Sequence, residues 1–393
     1  MRKLLSKWLI SVPVWGAPYV RVFSEAAAPA LLAAVSRMGA PVKFVVHTDS
    51  PDAVRAALAG QEVDLRPVPS KPTYVTLQEA HADAVLSAAP GDRVVLLNAD
   101  LVVSGNLLAR CAEHFAAGKE AVVLLGIRTI LNEAARPPVD AAPRALLAWA
   151  WANRHQIIRD LEWGSGGSML PTNLFFAEGG SVVARGFHLH PVAVVRQDSV
   201  QFKSTIDGDL LDGYLHERVH VVVDPDDCAM VEMSDPARRF PVRAAQLSAP
   251  GVAASMRARA SATHRWLFTH RIGVLEGAAA MTADLQPCEA ILRLLSGPAE
   301  RAPPSRESPI RRGRVPARPR SPPPPAASIT PTPPPPVQAS PPTPLPASQI
   351  AVAELRAPVI LTVPAPAVVE HPITNKRGVI PAGRRGTQCS PGA

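Results

Sequence analysis

The sequence predicts an α/β fold, a mixed, mostly parallel open sheet with helices on both faces, followed by a proline-rich tail. Three observations predict it. Continuous apolar runs recur over residues 8–130, as expected of strands buried on both faces. Helical patterns separate these runs, supplying the crossovers that parallel pairing demands. The prolines are also uneven: 24 of the 44 lie from Arg301 onward.

Taken in order, Trp8–Val14 (WLISVPV) is apolar and β-rich and predicts the first strand. An Ala- and Leu-rich helical pattern runs from about Tyr19 to Met38. Val42–Val46 predicts a second strand, and His47-Thr48-Asp49-Ser50-Pro51 after it reads as a loop with an Asp/Ser helix cap. A short helix over Asp52–Ala59 and a strand over Val63–Val68 come next. Thr76–Ala88 predicts a helix with a rough apolar face on Leu77, Ala80, Ala84 and Leu86. Arg93–Leu97 is the strongest strand signal, followed by a helix over Ser104–Ala117 and a strand over Ala121–Leu125.

Beyond Pro137 the pattern loosens. Ala145–Leu161 predicts an amphipathic helix, Gly164–Ser168 a flexible loop, Val182–Val195 a β-like run, Val219–Val223 a late strand, and Ala253–Leu295 helical pieces. The expected boundaries are a folded unit over 1–300, with 237–300 as its helical C-terminal part, and a disordered Pro/Arg-rich tail over 301–393. Pro322–Pro325 and Pro333–Pro336 favour extended polyproline II, which packs no core.

Charge narrows the function classes. From Arg301 onward there are 12 Lys or Arg against 3 Asp or Glu, so the tail carries +9 of the whole-chain +8 and residues 1–300 carry −1. The folded part therefore lacks the basic balance of a nucleic-acid-binding domain. Cys111, Cys228, Cys288 and Cys389 are far apart and form no C-x-x-C pair, which argues against structural zinc and a disulfide framework and suits a reducing cytoplasm. Basic residues precede the apolar Trp8–Trp15 run, but that run is short, broken by Pro13 and leads to no cleavage site. No segment offers the roughly 20 apolar residues of a membrane span. A soluble, cytoplasmic protein of bacterial-style Ala/Arg richness is expected, with peripheral membrane contact left open.

In an open α/β sheet, ligands bind beyond the carboxyl ends of the strands. Pro13–Gly16, Thr48–Ser50, Asn98–Asp100 and Gly126–Arg128 fall there. Residues two apart on extended backbone share a side, so Asn98 and Asp100 are expected to face one ligand together. One carboxylate and one amide oxygen suit a hard cation that keeps substrate phosphates as its other ligands.

Here the sequence resembles a known family. Arg93–Leu108 is similar to the strand and Asp-x-Asp motif of GT-A (Rossmann-like) glycosyltransferases, especially those of family eight, and the resemblance covers residues 8–130. Tyr19-Val20-Arg21-Val22-Phe23 opening the first helix, and a second strand ending near an Asp, fit the same order. The resemblance implies a nucleotide site touching Val12, Trp15 and Asp49. It also implies a divalent metal, Mn²⁺ or Mg²⁺, at Asp100 and Asn98. The family's first metal-side aspartate is Asn98 here, which leaves three alternatives open: weakened metal dependence, none, or an ion held by Asp100 alone.

Asp207 and Asp209 bracket Gly208, so both carboxylates can approach one point. The segment loosely resembles the family's acidic stretch, which implies a general base or a charge stabiliser. A cap and turn before a short helix is the plainer alternative. His188 and His190 flank Leu189 and are expected on one side of a strand, lining an acceptor pocket, binding phosphate or ligating metal; a buried core histidine is the commoner use of either alone. In the family a metal-binding histidine follows the acidic segment, whereas these precede it. Arg128 at a strand end could meet a diphosphate bidentately; a surface arginine is the plainer alternative.

Gly164–Ser168 lacks the Gly-Lys-Ser/Thr of a P-loop, and no G-x-S-x-G or G-x-G-x-x-G is present. The expected function is transfer of a sugar from a nucleoside-diphosphate-sugar donor to a glycan or other hydroxyl acceptor. The alternative is a catalytically inactive nucleotide- or glycan-binding scaffold. A sugar nucleotidyltransferase shares the fold, but Pro13-Val14-Trp15-Gly16 is a poor match for its Gly-rich loop.

Overall fold

The computed structural model describes residues 7–68, 73–131, 136–165, 171–198, 207, 209–237, 247–275 and 282–297. The expected tail and residues 166–168 of the expected loop lie outside them. After β1 (Trp8–Ser11) comes a helical stretch in three parts: α1 (Ala17–Val22), a π-helical turn over Phe23–Ala27, and α2 (Ala28–Met38). Pro29 lacks the N–H that a regular turn uses, and the helix widens just ahead of it. β2 (Val42–Thr48), α3 (Pro51–Ala57), β3 (Glu62–Pro67), α4 (Thr73–Ser87) and β4 (Arg93–Leu96) follow. Next are β5 (Leu101–Val103), α5 (Leu107–Ala116), β6 (Ala121–Leu124), β7 (Gly126–Ile130), α6 (Pro143–Ala152) and α7 (Gln156–Asp160). The rest comprises β8 (Asn173–Glu178), β9 (Ser181–Gly186), β10 (His190–Val195), β11 (Val219–Val221), β12 (Met230–Ser234), α8 (Ala249–Met256), α9 (Ala262–Phe268), β13 (Ile272–Gly273) and α10 (Leu285–Ser296).

The central sheet has the order β11-β6-β10-β4-β1-β2-β3. β1 pairs in parallel with β2 and β4, β2 with β3, and β6 with β11. Only β10 runs the other way, antiparallel to both β4 and β6. This is the expected mixed, mostly parallel α/β sheet. Ile10, Phe44, Val95, Leu96, Val122 and Val194 are fully buried along it, which is why these strands read as continuous apolar runs. Burying each such side chain contributes roughly 1.5–3 kcal/mol.

Two small sheets stand beside it, with orders β5-β12-β7 and β13-β9-β8. A second apolar cluster, including Leu174, Phe176, Phe187, Met256, Phe268 and Ile291, joins β8 and β9 to the C-terminal helices. Within it Phe187 stacks on Phe268 with centroids 4.0 Å apart. Buried Arg185 on β9 meets Asp284, the residue before α10, at 2.7 Å.

Three departures from expectation have physical reasons. The Ala145–Leu161 helix is two, because His155 turns its Nδ1 to accept the Ile157 N–H at 3.1 Å and so caps α7. Val182–Val195 is two strands joined by a bend. At Gly186 a Cβ would come within 2.5 Å of Leu189 Cδ2 and 2.7 Å of Asn173 Oδ1, so the chain reverses only where no side chain is present. The apolar triplet Leu101–Val103 is a strand of the β5-β12-β7 sheet.

Candidate active site

β1 ends at Ser11 and β4 at Leu96, in register. β10 is antiparallel to β4, so it begins at the edge where β1 and β4 end. Its first residue, His190, donates from Nε2 to the Leu96 carbonyl at 2.7 Å. Its Nδ1 lies 3.2 Å from Asp207 Oδ1. With a carbonyl on one nitrogen and a carboxylate on the other, the protonated ring, which donates from both, satisfies both acceptors. Burial works to lower the His190 pKa, but the Asp207 hydrogen bond and charge outweigh it and hold it above the ordinary value.

The Asp207 side chain keeps 45% of its surface open. The protein crowded round it works to raise its pKa, but the His190 hydrogen bond and charge hold it below the usual carboxylate range. Its backbone is fixed as well. Ser261 N donates to His264 Nδ1 at 3.2 Å, and His264 Nε2 donates to the Asp207 carbonyl at 3.2 Å. Asp207 is thus an accessible carboxylate held at two points.

A second chain of hydrogen bonds runs from the end of β1 to the loop after β4. The Ser11 hydroxyl lies 3.0 Å from His81 Nδ1, and His81 Nε2 lies 3.1 Å from Asn98 Oδ1. Because Asn98 Oδ1 is an acceptor, Nε2 carries the proton and Ser11 donates to Nδ1. Burial pushes the His81 pKa down to about 4. His81 is therefore neutral at physiological pH, and it aims the Asn98 amide so that its NH₂ group remains for another partner.

The expected shared face of Asn98 and Asp100 does not form. The backbone turns after Leu97, with Leu101 N donating to the Asn98 carbonyl at 3.1 Å. Extended i, i+2 geometry therefore does not apply. Asp100 is buried, and its carbonyl accepts from Met233 N at 2.8 Å. The Asn98 oxygen already accepts from His81, so a cation held by the pair would share that oxygen with the histidine. Among the described residues, one group of three His, Cys, Asp or Glu ligands is closely gathered, and it lies elsewhere.

Asp49 is exposed after β2 and accepts from Gly16 N at 2.9 Å and from the Ser50 hydroxyl at 2.9 Å. Gly16 has φ of 79°, a conformation that favours glycine, so this bond closes the loop between β1 and α1. Val12 is buried, with its N–H on the Val45 carbonyl at 3.2 Å, and Trp15 is half-buried. Arg128 lies within β7, where it meets Glu232 at 2.7 Å and the Ser234 hydroxyl at 2.9 Å.

His188 and His190 do not share one strand: His188 sits in the bend before β10. Its ring lies 4.5 Å from that of His264, and burial together with the His264 charge pushes its pKa down to about 4. Asp209 opens a 3-10 turn over Asp209–Gly213. A cleft of about 420 Å³ is lined among others by Pro18, Arg21, Glu25, Arg136 and Met233, and none of Ser11, His81, Asn98, His190 and Asp207 lines it. It borders α1 and the strand that holds the Asp100 loop.

Comparisons with known proteins give only distant likenesses. No protein-family model matches the chain, and no curated protein matches it. Among solved structures, residues 1–349 of TarS from S. aureus align at 14% identity and a TM-score of 0.35, over 74% of this chain and 70% of that one. HddC from Yersinia pseudotuberculosis aligns at 10% identity and a TM-score of 0.28, over 58% and 95%. The 4-diphosphocytidyl-2C-methyl-D-erythritol synthase of Anaerococcus prevotii aligns at 11% and 0.24, over 33% of this chain and 61% of its own. The chain thus spans about three fifths of that synthase. At these scores no functional argument rests on the likeness.

Sequence reasoning missed Ser11, His81 and His264. Each stands inside an element that reads as core: Ser11 in an apolar strand, His81 in an Ala-rich helix, His264 at the start of α9. A histidine or serine on a buried face is a weak signal, and only the pairing across elements turns these three into a network.

Proposed function

We propose that the folded part of this chain transfers a sugar from a nucleoside-diphosphate donor to a hydroxyl acceptor. One observation carries the reading: an accessible carboxylate, Asp207, and an oriented amide, Asn98, converge on the sheet edge where β1 and β4 end and β10 begins. The family-eight resemblance of Arg93–Leu108 supplies the reaction class.

In this reading the Asn98 NH₂ group donates to the diphosphate, in the place where family members present a metal-bound carboxylate. Asp49 and Gly16 shape the turn beside the nucleoside, with Val12 and Trp15 behind it. Asp207, its pKa held down, accepts a hydrogen bond from the acceptor hydroxyl and takes its proton as the hydroxyl attacks, or stabilises positive charge on the sugar. Asp209 and His188 line the acceptor side. Arg128 reaches the diphosphate only by exchanging Glu232 for it. Asp100 anchors the loop.

A thermal-shift screen of the full chain against UDP-, GDP-, ADP- and TDP-sugars, with and without Mn²⁺, tests the donor site. Stabilisation by one nucleotide class without Mn²⁺ is expected. No shift with any donor would refute a donor site. The non-catalytic scaffold reading, favoured by Asn98, is separated by turnover. An enzyme loses it in Asp207→Asn while keeping the donor shift, whereas a scaffold shows the shift and no turnover in either form.

A further inference from the structure

Far from that edge in the hydrogen-bond network, a second polar cluster gathers three elements. His114 is on α5, His220 on β11, and Asp227 in the turn before β12. His220 Nε2 lies 2.8 Å from Asp227 Oδ2 and His114 Nε2 lies 3.0 Å from the same oxygen. The two imidazole rings stack with centroids 3.5 Å apart and planes at 21°. All three ligand atoms lie within 4.8 Å of one another.

This arrangement is more specific than a surface ion pair. Both rings present the same nitrogen to the same carboxylate oxygen, and the side chains are 14%, 23% and 6% exposed. Asp227 is held from behind, with Arg110 Nε on Oδ1 at 2.6 Å and Asn106 Nδ2 on its carbonyl at 2.8 Å. Oδ2 therefore faces the two rings in a fixed position. Ligands around a tetrahedral zinc stand about 3.3 Å apart for bonds of about 2.0 Å, close to the spacings already present. Cys111 and Cys228 are buried nearby, but the gathered ligand atoms are those of the two histidines and Asp227.

We propose that His114, His220 and Asp227 form a binding site for a divalent transition ion of the zinc type, with water in a fourth position. Two imidazoles and a carboxylate select zinc, nickel, copper or cobalt over magnesium and calcium. The ion would clamp β11, which among the described residues pairs only with β6, to α5 and to the turn before β12. The site shares no residue and no hydrogen bond with the strand-end cluster, and its failure would leave the donor-site reading untouched.

Equilibrium dialysis of the untagged full chain against micromolar zinc, read by elemental analysis, tests it. One zinc per chain is expected, with none gained from magnesium. His114→Gln and His220→Gln should each weaken uptake about tenfold or more. Arg110→Gln, which removes the guanidinium that holds Asp227 from behind, should weaken zinc uptake about tenfold. No uptake by the parent, or parental uptake by the doubly substituted His114→Gln/His220→Gln chain, would overturn the proposal. If the histidine variants fail to fold, Arg110→Gln carries the test, and unchanged affinity there overturns it.

Discussion

Acidification should expose the buried His81 link as a measurable loss of stability. His81 is completely buried and its pKa is lowered to about 4, against 6.5 for an unperturbed histidine. Between these values the unfolded chain binds the proton and the folded one does not. Stability from this group is therefore fully present above pH 6.5 and falls as pH drops toward 4. At pH 5 the difference amounts to about 2 kcal/mol. Replacing His81 with Gln keeps a donor for Asn98 and removes the titration. Urea unfolding of both chains at pH 7.5 and pH 5 measures the effect. His188 titrates in the same direction in both chains, and His190 in the opposite one, so only the difference between the slopes reports on His81. The parent should lose about 2 kcal/mol more than His81→Gln over that interval. Equal pH slopes would refute a neutral His81 bridging Ser11 and Asn98.

Three further outcomes follow from the same geometry. Asp207→Asn should lower turnover about 10²–10⁴-fold, checked by initial rates. It should also remove the carboxylate that holds the His190 pKa up, so the His190 titration followed by NMR moves to lower pH. Asn98→Asp should put a carboxylate where the amide now stands and weaken the rise in Tm that a nucleoside-diphosphate sugar gives without Mn²⁺; an unchanged donor response would count against the amide's role. Gly186→Ala should cost about 1–3 kcal/mol in urea unfolding, since the new Cβ meets Leu189 and Asn173.

The strands of the central sheet were legible because double-sided burial leaves a one-dimensional trace. Val94–Leu97 and Ala121–Leu125 are apolar without interruption, and the structure places both beside β10 in the middle of the sheet. β7 was not legible. Its exposure alternates along Gly126–Ile130, and five residues of alternation do not stand out after the apolar run of β6. β12 is as short, and its pairing with β7 and β5 depends on segments about 100 and 130 residues away. Asp207 and Asn98 could be named from local pattern and family resemblance. What those patterns could not carry is orientation. The Asn98 oxygen accepts from His81, and nothing in Thr73–Ser87 marks that helix as its partner.

The change from carboxylate to amide at position 98 has an electrostatic consequence that bears on the metal. A carboxylate about 5 Å from a phosphate charge repels it by about 3 kcal/mol at an effective dielectric of about 20. A divalent ion is one way to reverse that term. An amide removes the repulsion and, with its oxygen fixed on a neutral histidine, adds a donor where the acceptor was. The arrangement works only if His81 stays neutral and Ser11 stays its donor, which burial under the apolar sheet secures. In the proposed reading such a site meets its diphosphate with the amide donor, while Asp207 stays paired with His190.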